Sequence, residues 1–261
     1  MNKIDAQLKK IALQKRMGLM MHVVVGYPTL KDTASIVKTM AKSGVDFVEL
    51  QIPFADPLAD GPTIQHACEK SLENGTRVKD SFEIAAKLSS EVEIPLLFMG
   101  YFNTVFKYGV DKFCADAKAA GISGLIIPDA PLEAAKHEGL IKACQRHQLH
   151  NIITVSPATT EERLGLNAHI ASGFVYCMAQ QGITGSTAGL DPTISSYIER
   201  VKKIIKLPVA VGFGISQKQH LEAIESFAEV GVIGSALIRV IAKAKPASVN
   251  DEVEKFIRAL K

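Results

Sequence analysis

Eight short apolar runs, rich in β-branched residues, recur along this chain with longer amphipathic segments between them, and that alternation constrains the fold more than any other feature. The runs fall at 21–25, 46–52, 95–99, 124–128, 151–155, 173–177, 208–212 and 229–233. Most are almost continuously apolar, as in Leu125-Ile126-Ile127 and Val209-Ala210-Val211. A strand covered on both faces reads this way, whereas a half-solvated antiparallel strand alternates. The intervening segments, at 32–43, 63–73, 78–90, 110–120, 132–147, 161–171, 193–205, 217–226 and 250–260, carry helical periodicity. Thr160 before Glu161-Glu162 and Ser216 before a polar-faced segment are helix-start signals. Gly44, Gly75 and Gly121 sit where helix-ending glycines belong.

Eight strands alternating with helices over about 250 residues is the count for a single-domain (β/α)8 TIM barrel, with a doubly wound open sheet as the alternative. The 261 residues contain no Pro/Gly/Ser-rich linker and no shift in composition, so one domain spanning 1–261 is expected. One spacing is irregular: the second and third strands start 49 residues apart, from Asp46 to Pro95. That gap has room for an extra helix between the second and third strands. It lies where barrel enzymes build their active sites.

Composition excludes several classes. With 47% hydrophobic and 22% charged residues the chain is an ordinary globular one, not a disordered one. Its net charge of +3 is too small, and its basic residues too scattered, to indicate nucleic acid; Lys9-Lys10 and Lys202-Lys203 read as solvated helix faces. No apolar segment approaches the roughly 20 residues of a transmembrane helix, and the charged first twenty residues do not resemble a signal peptide. Cys68, Cys114, Cys144 and Cys177 have no metal-ligand spacing, so buried thiols in a reducing cytoplasm are expected, with no metal site.

The chemistry concentrates around the second strand, Asp46-Phe47-Val48-Glu49-Leu50-Gln51-Ile52. Side chains alternate faces, so Phe47, Glu49 and Gln51 share the side towards the barrel axis. A carboxylate turned inward is costly unless paired, protonated or at work. Glu49 is therefore a catalytic candidate, with a structural carboxylate tied to a cation as the alternative. The loop that follows, from Pro53 to Thr63, carries Pro53, Pro57 and Pro62, together with Asp56 and Asp60. Asp60 could cap the next helix or complete an acid/base pair with Glu49. Tyr101 and Tyr176, near the ends of the third and sixth strands, could wall a pocket for a flat apolar ligand or simply pack. His22 on the first strand could face the barrel; a satisfied core histidine is the commoner case.

Three glycine-bearing turns follow the late strands: Gly182-Ile183-Thr184-Gly185, Gly212-Phe213-Gly214-Ile215-Ser216 and Gly234-Ser235-Ala236, the last opening a helix. Glycine admits an anion to backbone N–H groups, a helix N-terminus adds a favourable field, and late-strand barrel loops are a frequent phosphate site. No G-x-G-x-x-G or Walker pattern points to a dinucleotide or triphosphate.

The run from Phe47 through Pro53-Phe54-Ala55-Asp56-Pro57-Leu58-Ala59-Asp60-Gly61-Pro62-Thr63 to Gln65 resembles the signature of the tryptophan synthase alpha subunit family. Gly26-Tyr27-Pro28, Met99-Gly100-Tyr101-Phe102-Asn103, Pro128-Asp129-Ala130-Pro131 and the three glycine turns follow in the family's order, so the resemblance covers nearly the whole chain. The chain departs from the commonest pattern at His22, Val24, Tyr27 and Ala179-Gln180-Gln181, which changes the polar groups around the pocket floor and the loop after the sixth strand.

The resemblance implies a lyase of tryptophan biosynthesis that cleaves indole-3-glycerol phosphate by a retro-aldol step. It implies Glu49 as general acid/base and Asp60 as acceptor of the indole N–H. It further implies a pocket lined by Tyr101, Tyr176 and Phe213, with phosphate held at Thr184, Gly185, Gly214, Gly234 and Ser235. A tryptophan synthase beta subunit, which would carry pyridoxal phosphate in an alpha2beta2 complex, is the implied partner, meeting Pro53, Phe54, Asp56, Pro57 and Asn103. This chain itself is expected to carry no cofactor. Another phosphate-sugar barrel, such as an isomerase or the indole-glycerol-phosphate synthase, is an alternative; the Glu49…Asp60 arrangement and the absence of an early-strand catalytic lysine argue against the synthase. A stand-alone lyase and a catalytically weak regulatory barrel are the remaining alternatives.

Overall fold

A computed structural model describes residues 1–178, 193–212 and 214–261. The chain opens with a helix, α1 (Lys3–Leu13), and then alternates: β1 (Gly18–Val24), α2 (Leu30–Lys42), β2 (Phe47–Gln51), α3 (Pro62–Glu73), α4 (Val78–Glu91), β3 (Leu96–Met99), α5 (Phe102–Tyr108), α6 (Val110–Ala119) and β4 (Ile122–Ile126). The second half continues with α7 (Leu132–His137), α8 (Leu140–Arg146), β5 (His150–Val155), α9 (Glu161–Ala168), β6 (Val175–Met178), α10 (Thr193–Ile204), β7 (Val209–Gly212), α11 (Lys218–Glu222), β8 (Val230–Ile233), α12 (Ser235–Lys243) and α13 (Val249–Ala259). All eight strands are parallel and pair in chain order, and β8 returns to β1 to close the barrel. The long gap between β2 and β3 holds two helices, α3 and α4, as its length implies.

The alternation of side chains divides the core in two. Met21, Val23, Val48, Leu50, Ile52 and Phe98 point outward and pack under the helices with residues such as Ile36, Val37 and Cys68. Met20, Phe47, Leu97, Ile126, Ile152, Phe174, Ala210, Val230 and Val232 fill the barrel, where Phe47 and Phe174 meet edge to face at 6.0 Å. Burying each large apolar side chain contributes about 1.5–3 kcal/mol, so this double shell supplies most of what holds the fold. All four cysteines are buried and free.

Helix α1 seals the N-terminal end of the barrel. Ile4 and Ile11 enter the inner cluster, and an added Cβ at Gly18 would fall 2.5 Å from Ile11 Cδ1. Asn2 caps the helix by accepting from the Ile4 N–H and donates to Ser123 O. Sequence periodicity identified no helix here, because its inner face consists of a few isolated apolar residues.

Other boundaries differ from the sequence reading. β1 begins three residues earlier than the expected Met21, and α5 was not anticipated. The segment 132–147 forms two helices because Gly139 adopts φ +78°, a conformation no right-handed helix contains. Thr160 caps α9 as expected, accepting from the Arg163 N–H. Ser216 does not cap: Gln217 occupies that position, and α11 is a single short turn rather than the long helix expected over 217–226.

Candidate active site

At the C-terminal end of the barrel, β1 and β2 run in a register that sets His22 beside Glu49 and Val24 beside Gln51. Met20 and Phe47 belong to the inner core cluster. The alternation therefore carries His22, Glu49 and Gln51 to the same inner face. Glu49 is 3% exposed and His22 4%. His22 Nδ1 lies 3.4 Å from Glu49 Oε2. Among the described residues, His22 Nε2, Glu49 Oε2 and Gln51 Oε1 are buried with no hydrogen-bond partner. More than about 90% of buried polar groups in native proteins are partnered, so three unsatisfied atoms in one patch mark a place kept for something else.

Asp60 meets this patch from the loop above. Its Oδ2 accepts from Gln51 Nε2 at 2.6 Å and from the Tyr101 hydroxyl at 2.7 Å, and that hydroxyl in turn accepts from the Ala59 N–H at 3.0 Å. Asp60 is not a helix cap, since Gly61 takes that position for α3. Gln51, whose inward face the sequence indicated without a role, is the link that ties Asp60 to the strand bearing Glu49. The Asp60 N–H donates to Pro57 O, and Gln65 Nε2 donates to Asp60 O, so the loop is braced from within.

Electrostatics follow from burial. Burial raises the Asp60 pKa above the ordinary carboxylate value, against the lowering influence of His22 and the hydrogen bonds from Tyr101 and Gln51. Burial would lower the His22 imidazole, but the Glu49 carboxylate, helped by Asp60 and Gln51, more than offsets this, and its pKa is raised. The Tyr101 phenol is pushed up by burial and then by Asp60, and the Tyr176 phenol by burial and then by Glu49 and Asp60. Both phenols therefore stay neutral donors through the physiological range.

Tyr176, on β6, packs against the inner cluster that fills the barrel. Its hydroxyl lies 2.7 Å from where a Cβ on Gly212 would sit, so only glycine at the end of β7 lets this ring lie flat against the backbone. Gly214 follows, exposed, with φ +64°. Gly234 is the N-cap of α12 and Ser235 its first residue, and a Cβ on Gly234 would lie 3.7 Å from His22 Cβ. The β8 turn thus borders the carboxylate patch. Thr184, Gly185 and Phe213 lie outside the described residues, as do Gln180 and Gln181.

The residues expected at a partner surface divide. Asp56 and Asn103 are exposed, and Pro53 and Pro57 are buried. Phe54, which reads as an exposed aromatic in the sequence, is half-buried and stacks on Tyr101 with centroids 5.3 Å apart. It packs there because Tyr101 offers a flat apolar face beside the loop. The apolar residues that do stand out are Leu58, 80% exposed, and Phe106 on α5, 49% exposed. Sequence reasoning assigned neither to this surface; Leu58 sits in the braced loop, where tight turns leave its side chain outward.

Among the described residues no group of three or more His, Cys, Asp and Glu side chains is arranged for a metal ion, and no helix is long and apolar enough to cross a membrane.

Comparison with known proteins places this geometry. The family model of the tryptophan synthase alpha chain matches residues 8–261. The tryptophan synthase alpha chain of Desulfotalea psychrophila is 42% identical over 247 residues, covering 93% of this chain and 96% of that protein. That of Christiangramia forsetii is 38% identical with both chains wholly covered. Among solved structures, tryptophan synthase from M. tuberculosis in its aminoacrylate-bound form superposes with a TM-score of 0.89 at 28% identity, covering 100% of this chain and 98% of that one. The tryptophan synthase a2b2 complex from Pyrococcus furiosus, described as a case of mutual activation, gives 0.88 at 30% identity, covering 94% and 98%. A barrel closed in chain order, two carboxylates converging at its mouth and a family match over almost the whole length lead to one assignment: this chain belongs to the tryptophan synthase alpha chain family.

Proposed function

We propose that Glu49 and Asp60 carry the alpha reaction of tryptophan synthase in this chain, the retro-aldol cleavage of indole-3-glycerol phosphate into indole and glyceraldehyde 3-phosphate. The chain is a carbon–carbon lyase of tryptophan biosynthesis. Breaking the bond between indole C3 and the glycerol chain needs a proton delivered to C3 and one removed from the adjacent 3′-hydroxyl. One carboxyl group that gives the first and takes the second ends the cycle in its starting state. Glu49 fits that role because it is buried on the inner face of a barrel strand with an oxygen left unsatisfied. Protonation at C3 builds positive charge on the ring nitrogen, and Asp60 accepts the ring N–H and stabilises that charge. Tyr101 and Gln51 hold Asp60 in place. Tyr101 and Tyr176 form walls for the flat ring, and the family resemblance assigns Phe213 to the same pocket.

The phosphate binds through backbone N–H groups at Gly214, Gly234 and Ser235, and the family resemblance assigns Thr184 and Gly185 to it as well. The N-terminus of the nine-residue α12 points its partial positive charge at this place. A ligand-bound structure tests this: an anion held by the turns supports it, and one clamped by lysine or arginine side chains elsewhere overturns it.

The partner is the tryptophan synthase beta subunit in an alpha2beta2 assembly, where pyridoxal phosphate belongs to the beta subunit. Asp56, Asn103, Phe54, Pro53 and Pro57 shape or support the contact surface. The chain works as one unit over 1–261, since Lys261 Nζ reaches back to donate to Ser43 O and Gly44 O. We place it in the cytoplasm, in keeping with its four buried thiols. The observation that carries the reading is the Glu49–Gln51–Asp60 patch at the barrel mouth. Its test is single-turnover indole release from indole-3-glycerol phosphate, with and without beta subunit. No release in either condition would leave the regulatory-barrel alternative.

A further inference from the structure

We propose that His22 is a positioning residue for the general acid/base: an imidazole whose Nδ1 faces Glu49 Oε2 and steadies the carboxylate that Glu49 becomes once it has given its proton to C3. The proposal rests on the assignment of Glu49 as the acid/base. A histidine that merely fills a core has both ring nitrogens satisfied. His22 instead sets Nδ1 3.4 Å from Glu49 Oε2 and leaves Nε2 buried and unpartnered among the described residues. The strand register makes the pairing obligatory, because His22 and Glu49 are direct neighbours across the β1–β2 ladder. Both side chains are nearly inaccessible, at 5% and 4% exposure, so the carboxylate's charge is weakly screened at the imidazole.

The carboxylates facing His22 favour its cationic form. Glu49 approaches from β2 and Asp60 from the loop beyond it. Tyr176 on β6 is held neutral, as is Tyr101 behind Asp60. β8, the other neighbour of β1, presents Val230–Ile233 (no titratable side chain), and α12 meets β1 through the Gly234–Ser235 turn with Arg239 and Lys243 exposed. Helices α2 and α3 cover the opposite, outer face of β1, where Met21 and Val23 pack. The imidazole's raised pKa agrees with this surrounding set of carboxylates. In the cycle His22 keeps its own proton. Glu49 gives one to C3 and recovers one from the 3′-hydroxyl, so the proton count of the pair is restored at each turnover.

The test uses the chain assembled with a tryptophan synthase beta subunit and compares His22→Gln, His22→Phe and Glu49→Gln. His22→Gln retains a donor without the charge and should lower kcat about tenfold with KM little changed. His22→Phe, which offers no donor, should lower kcat further. In parallel, NMR of ring-labelled histidine should show the His22 titration displaced downward in Glu49→Gln, a readout that needs neither activity nor a His22 variant. An unchanged kcat in His22→Gln, or an unmoved His22 titration in Glu49→Gln, would overturn the pairing. Full activity of Glu49→Gln would instead overturn the Glu49 assignment, whatever the His22 results.

Discussion

Two buried carboxylates stand three residues apart, one just before β2 and one in its middle, and they are treated in opposite ways. Asp46, just before the strand, is 2% exposed and fully occupied. It accepts from Arg16 Nη1 and Nη2 at 2.7 Å each, from Gln7 Nε2 at 2.6 Å and from the Leu19 N–H at 2.9 Å. Glu49, almost as buried, has one imidazole at 3.4 Å and an oxygen without a hydrogen bond. Equal burial thus has two meanings. At the barrel floor every lone pair is used and the carboxylate knots α1, β1 and β2 together. At the mouth the fold tolerates unsatisfied atoms, and that tolerance is the mark of a site.

The sharpest way to break this comparison is Glu49→Gln. Cleavage should fall by about 10²–10⁴-fold, the usual contribution of a general acid/base group, while thermal unfolding stays close to the parent. A loss below threefold in single-turnover indole release would put Glu49 back among structural carboxylates. Next in size, Asp46→Ala should destabilise by about 2 kcal/mol, because it strands the buried Leu19 N–H and removes charged hydrogen bonds. Arg16, 40% exposed, stays solvated and limits the loss. Denaturant unfolding measures it, and unchanged kinetics at low temperature would confirm the division of labour.

Asp60→Asn sits between the two cases. The gap between a charged and a neutral hydrogen bond is about 1–1.5 kcal/mol, so kcat should fall roughly tenfold with KM nearly constant. A raised KM at unchanged kcat would reassign Asp60 to ground-state binding. Its raised pKa also fixes a stability trend. The folded chain holds this proton more tightly than the unfolded one, so ionising Asp60 costs stability as pH rises from its ordinary value of 3.8 through the folded one. The variant lacks that cost and should gain on the parent across this window, which a pH series of melting curves reads directly. The smallest effect is expected at Asp56→Ala. Activation by the beta subunit should drop a few-fold, the scale of an exposed charge contact, with basal cleavage unchanged. Equal fractional losses would place Asp56 outside the coupling.

What the sequence made legible was whatever a repeating pattern or a dense motif encodes. The eight strands follow from their short, continuously apolar runs, and the inward turn of Glu49 and Gln51 from the alternation of side chains along β2. The chemistry of Asp60 does not: its loop looks equally like a helix start, and only the arrival of the Tyr101 hydroxyl from 41 residues away decides the matter. His22 was visible as an inward histidine, but its function depends on which side chain stands opposite, and register is a tertiary fact. Phe54 misled because proline-flanked aromatics resemble exposed anchors, while the partner that covers it lies beyond β3. Helix α1 escaped because its apolar residues are too sparse to signal burial without the barrel they enter.

That first helix has a consequence for traffic. With Ile4 and Ile11 filling the base of the barrel and Asp46, Asn2 and Gln7 fastening the plug, the chamber is blind at one end. Whatever enters past Tyr101 and Tyr176 must leave by the same doorway. A polar phosphate product can escape into water there, but an apolar ring released beside it gains by passing directly into another apolar space. A protein docked over that doorway, rather than the barrel itself, would therefore decide the destination of the indole. A stoppered vessel becomes one half of a one-way passage only when its mouth is covered.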